Sequence, residues 1–158
     1  MTVPDNIETF NRICIALLDE LYSAFPVPAE IDMDAISMSA VPQNASGEAA
    51  WDMLSMGGDV LRFLSQEGFL THRHAALVES KFEQVRLTMK GLAILGYIPA
   101  SIENSEGTTE PLSSKIRSVI GGGLKEAGGE TVRQLVSQVF SLALAATPAV
   151  GTLLTGRT

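Results

Sequence analysis

The sequence predicts a mainly helical α+β domain with one small β-hairpin, followed by a helical tail. Three observations carry that expectation. An apolar stripe of helical period runs through the first 25 residues at Ile7, Phe10, Ile13, Cys14, Leu17, Leu18, Leu21 and Phe25. Between Phe69 and Leu87 the pattern becomes that of strands, with aromatic and β-branched side chains on either side of a polar turn. Beyond residue 115 helical spacing returns, and from Gln134 to Gly156 no side chain is charged.

The chain of 158 residues is long enough for one core of roughly 100 residues with an appendage. Its net charge of −7 is unevenly spread: residues 1–50 hold eight acids against Arg12 alone, while acids and bases balance in 51–100 and again in 101–158. A nucleic-acid binder draws affinity from neutralised phosphates and shows a basic face, and no such cluster stands out here. The single cysteine, Cys14, lies in the first stripe, where a small buried thiol is the ordinary reading. Without a partner it forms no internal disulfide, which fits a reducing cytoplasm. The opening MTVPDNIETF lacks the basic and then apolar run of a secretory signal.

Helix 1 is expected to start at Asp5, with Glu8 completing a capping box, and to end before Pro26 and Pro28. Asp19 and Glu20 fall off the stripe and are expected in solvent. From Glu30 to Ala40 apolar and polar residues partly alternate, as in a short edge strand. Pro42–Gly47 reads as a loop, and a helix starting at Ser46 or Gly47 carries Trp51, Met53 and Leu54. Gly57 and Gly58 are expected to break it, with Asp59 capping a second short helix that stops at Gly68. Two short helices around a glycine turn form a helix-turn-helix signature. The outward residues of the second would be Asp59, Arg62, Ser65, Gln66 and Glu67, and carboxylates facing phosphates repel. The hairpin turns near Glu79, Ser80 and Lys81. Thr88 is placed to cap a closing helix in which Gly91 permits close packing, and Gly96 and Pro99 stop it.

The pairing of Gln66–Leu70 (QEGFL) with Leu87–Leu95 (LTMKGLAIL) resembles the close of winged-helix domains, including MarR-type regulators and bacterial or phage-associated winged-helix proteins. The resemblance covers about residues 5–98. It implies a winged helix-turn-helix domain over 5–100, a fold that serves DNA binding and protein contacts alike.

Residues 101–114 are polar and turn-rich and read as a linker, leaving 115–158 as a C-terminal helical tail. The glycines of GGGLKEAGGET mark either close packing or a break, since each glycine inside a helix costs about 1 kcal/mol relative to alanine. They lack the order of a phosphate-binding loop. The uncharged run 134–156 is long enough for a bilayer at about 20 residues. Its Ser, Gln, Thr, Pro and Gly content favours a helix covered by protein instead.

His72 and His74 share a strand face and could hold a metal ion, but no further ligand lies near them in sequence, so an ordinary strand face is the expectation. No motif calls for a cofactor or an enzyme. The first functional reading is therefore a cytoplasmic, non-enzymatic interaction module that forms a homodimer through Val132, Leu135, Val136, Val139, Phe140 and Leu144. The second is a DNA-binding regulator using Arg62, Arg73, Lys81, Arg86 and Lys90 around the wing. The third is a membrane-acting effector that inserts residues 134–156.

Overall fold

The first helix, α1 (Asp5–Ala24), is the hub of the computed structural model, which describes residues 5–74, 80–96 and 110–155. Its apolar stripe is present, but burial goes further. Every residue from Asn11 to Leu18 is buried, so the middle of the helix is covered on all sides. Such a helix belongs at the centre of a fold. Asp19, expected in solvent, has a side chain only 11% exposed and pairs with Arg117 at 3.1 Å.

The single strand expected over 30–40 is instead a strand, β1 (Ala29–Asp32), and a helix, α2 (Met33–Ala40). The Asp32 carboxylate accepts from the Asp34 amide at 3.0 Å and so opens α2. Its buried residues are Met33, Ser37 and Ala40, a helical spacing hidden in sequence by the polar residue in the middle.

The next helix, α3 (Gly47–Gln66), opens on Ser46, whose hydroxyl accepts from the Ala49 amide at 3.1 Å. It runs unbroken through Gly57 and Gly58, so the expected glycine turn does not form, and Asp59 lies inside the helix. Gly57 serves close approach. A Cβ there would sit 2.5 Å from the Ser37 hydroxyl and 3.1 Å from the Met33 carbonyl oxygen of α2. The joint between two helices is the loop 41–46, between α2 and α3. The end of α3 is where expected, with Gly68 at φ +85°.

The hairpin forms as expected from β2 (Leu70–His74) and β3 (Lys81–Leu87), and β1 joins it in an antiparallel sheet of order β1-β3-β2. One extra residue in β3, opposite both neighbours, puts Gln84 at φ +52°. That bulge shifts the alternation so that Phe82, Val85 and Leu87 are all buried. Thr88 caps α4 (Met89–Leu95) by accepting from the Gly91 amide at 3.1 Å. Gly91 lies so close to the Phe69 carbonyl that a Cβ would overlap it.

Helix α5 (Leu112–Gly121) begins inside the segment expected to be a linker, and Leu112 is fully buried. Gly121–Gly123 end it, a 3-10 turn follows at Leu124–Glu126, and α6 (Gly129–Thr155) is the last described element. The glycine run thus separates two helices. Both lie against α1 and α4, with α1 also touching α2, α3 and β3. The fold is mainly helical with one small three-stranded sheet. The Asp5 cap side chain, the hairpin tip at Glu79, the stop at Pro99 and linker positions 101–109 lie outside the described residues.

Candidate functional site

Helix α6 begins with an ion pair of its own. Arg133 donates to Glu130 from Nε at 3.0 Å, and this bonding holds the Glu130 carboxyl below the usual carboxylate range. A negative side chain in the first turn also suits the positive end of the helix dipole. Of the residues expected to mediate self-association, Val132, Leu135, Val136 and Val139 are buried within their own chain, where α6 meets α1, α4 and α5. The apolar tail therefore finds cover in its own chain as far as Ala143, which is also buried.

Phe140 closes an aromatic cluster where α1, α3 and α6 meet the turn between α3 and β2. Its ring stacks on Phe10 at 5.8 Å, and meets Phe69 at 5.5 Å and Phe63 at 6.5 Å edge-on. Phe10 and Phe63 meet edge-on at 5.4 Å. Outward from this cluster the covering ends: Phe63 is 41% exposed and Leu144, one turn beyond Phe140, is 69% exposed. The stripe 132, 136, 140, 144 starts in the core and emerges into solvent, and α6 continues beyond it to Thr155.

The five basic residues around the hairpin divide into two groups. Arg62 pairs with Asp59 at 3.2 Å and lies over the Phe82 ring at 5.5 Å. Lys90 donates to the Glu67 carbonyl at 2.9 Å, closing the end of α3, and lies 5.3 Å from the Phe69 ring centre. Arg73, Lys81 and Arg86 are exposed on the outer face of the sheet. They share that face with Glu30, Asp32 and Glu83, with Arg73 paired in register with Glu83 and Lys81 with Asp32. Three acids among three bases leave it with no net positive charge at neutral pH, which weakens its attraction for phosphates.

A polar feature that spacing did not reveal lies at the other end of α6. Arg12, its side chain 5% exposed, donates from Nη1 to the Leu124 carbonyl at 3.0 Å and from Nη2 to the Ala127 carbonyl at 2.8 Å. The Gln43 amide donates to the intervening Lys125 carbonyl at 3.0 Å. The Glu8 carboxylate lies 3.8 Å from the guanidinium and presses against Gly129 at the start of α6. A cleft of about 620 Å³ opens beside this clamp, lined by Glu8, Arg12, Asn44, Lys125 and Glu126 among others. The signal in the sequence is Asn11-Arg12, two polar residues inside an otherwise apolar stretch, and the only base among the first 50 residues.

The His72 ring packs edge-on against Phe82 at 5.2 Å, while the side chain of His74 lies outside the described residues. Among the described residues no group of three or more His, Cys, Asp or Glu side chains converges as a metal site would require. Cys14 is fully buried, and burial pushes its thiol well above the ordinary pKa, away from the reactive thiolate. Among the described residues no helix is long and apolar enough to cross a membrane. No known protein family, curated protein or solved structure matches the chain.

Proposed function

We propose that the chain is a non-enzymatic, cytoplasmic interaction module of winged-helix type that forms homodimers through the outer part of α6. The winged-helix reading is supported by the element order α1-β1-α2-α3-β2-β3 and the sheet order β1-β3-β2, together with the QEGFL and LTMKG segments. The observation that carries the dimer is the emergence of the α6 stripe at Leu144, one turn beyond Phe140. Covering a leucine fully is worth about 1.5–3 kcal/mol, and two copies meeting on this stripe cover two.

Charge points to a second copy as the occupant. The net charge of −7 lies in the first 50 residues, so copies repel where those residues face one another. The uncharged run Gln134–Gly156 is where two of them approach without like-charge repulsion. Light scattering after size exclusion is expected to give a dimer mass for the full chain and a monomer mass for Leu144→Asp. A monomer mass for both would reject the proposal.

A further inference from the structure

We infer that the outward face of α3, with Trp51 at its centre, is a docking site for an arginine- or lysine-rich segment of a partner protein. Trp51, the single tryptophan of the chain, is 71% exposed and lies away from the side of α3 that buries Met53, Gly57, Val60, Leu61 and Leu64. A large apolar ring is thus left in water, and aromatic side chains of this size carry much of the energy where proteins meet. Beside it a groove of about 430 Å³ runs between α1 and α3, lined by Asn6, Thr9, Asp52, Ser55, Met56 and Asp59. Ser55 lies one helical turn on from Trp51, so the indole stands at the rim of the groove. Thr9 and Asp52 also border an adjoining recess of about 240 Å³ that reaches Ala49. From Ala49 to Asp59, at ~1.5 Å per helical residue, is about 15 Å, the span of about four or five extended residues.

Charge selects the occupant. Glu48 and Asp52 are exposed next to Trp51, and among the described residues neither has a cationic partner. Arg62, the one base of α3, is already held by Asp59 at 3.2 Å and by the Phe82 ring. The groove itself offers the carboxylates of Asp52 and Asp59 and, among the described residues, no base. An arginine or lysine side chain suits all of its parts, with the stem along Met56 and the charged head between Asp52 and the indole face. The same carboxylates repel nucleic acid and anionic lipid. A second copy is no better matched, because its excess charge is negative and the bases on its sheet face are interleaved with Glu30, Asp32 and Glu83. The site is separate from the α6 stripe and stands whether or not the chain dimerises.

Fluorescence anisotropy with the full chain tests the site, using as probes a short labelled peptide of lysine, serine and leucine and a twin with glutamate for each lysine. Saturable binding is expected for the lysine peptide and none for its twin. Trp51→Ala should weaken that binding about tenfold or more, the loss that a tryptophan central to an interface brings. Asp52→Lys should weaken it likewise. Glu20→Lys makes the same charge change about 16 Å along α1 from Thr9, beyond the ~8 Å Debye length at physiological salt, and should alter it less than about twofold. All three side chains replaced lie at the surface, so the core is left intact. No saturable binding of the lysine peptide, or unchanged affinity in Trp51→Ala, overturns the proposal. Equal losses in Asp52→Lys and Glu20→Lys also overturn it, by reducing the attraction to net charge. Tighter binding of a labelled DNA duplex that is lost in Trp51→Ala would give the face to nucleic acid instead, and a dimer mass lost in that variant would give it to a second copy.

Discussion

Asp19 shows how a single ionisable group is governed by a distant part of the chain. Burial raises its pKa, the Arg117 guanidinium at 3.1 Å pulls the other way, and Glu20 raises it further. With a raised value the folded state binds the proton more tightly than the unfolded one. This group's contribution to stability is therefore largest below the ordinary carboxylate pKa and is lost as pH rises through the raised value. Asp19→Asn has no such loss. Urea unfolding at both ends of that window should show the variant gaining on the parent as pH rises, and a gap that is constant with pH would mean that Arg117 fully offsets burial. Spacing put Asp19 outside the stripe of α1, and rightly so. What spacing could not tell is that α5 arrives from far along the chain to cover that side. Arg12 was hidden for the same reason, because its acceptors are backbone carbonyls that no side-chain pattern advertises.

Among the elements, α3 makes the sharpest contrast between local rule and packing. Gly57 and Gly58 have the same intrinsic cost in a helix, and alanine at either recovers up to about 1 kcal/mol of propensity. At Gly58 the nearest obstacle to a Cβ is the flexible end of Arg62 at 3.3 Å, so Gly58→Ala should stabilise the protein. At Gly57 the obstacles are Ser37 and the backbone of α2, so Gly57→Ala should cost about 1–3 kcal/mol as helices are forced apart. Thermal unfolding of the two variants checks the opposite signs. Equal shifts would show that α2 does not pack against this face. Elements with strong local signals, such as α1, the hairpin, and α4 with its Thr88 cap, were legible from sequence. Helix α2 was not, because Ser37 occupies a buried helical position and makes the segment look alternating.

For the molecule as a whole, the decisive matter is where the C-terminal helices belong. Leu112, Ile116, Val132, Val136 and Val139 are buried together with α1 in one core. A chain ending at Ala145 keeps all of them and should melt cooperatively, near the full-length protein. A chain ending at Glu110 uncovers Phe10, Phe69 and much of α1, and should lose its cooperative transition in circular dichroism. A shorter chain melting like the parent would mean that the tail is not part of that core. From the sequence alone came the helical class, the hairpin, the capped closing helix, and the need of an uncharged tail for an apolar cover, because periodicity, capping and charge are local properties. Which surface supplies the cover was decided only by tertiary structure. Hydrophobic burial is non-directional, so the stripe on α6 specifies a partner of its kind and not an address. The address is written in the backbone carbonyls gripped by Arg12 and in the four-ring meeting at Phe140, and both exist only once the chain has folded.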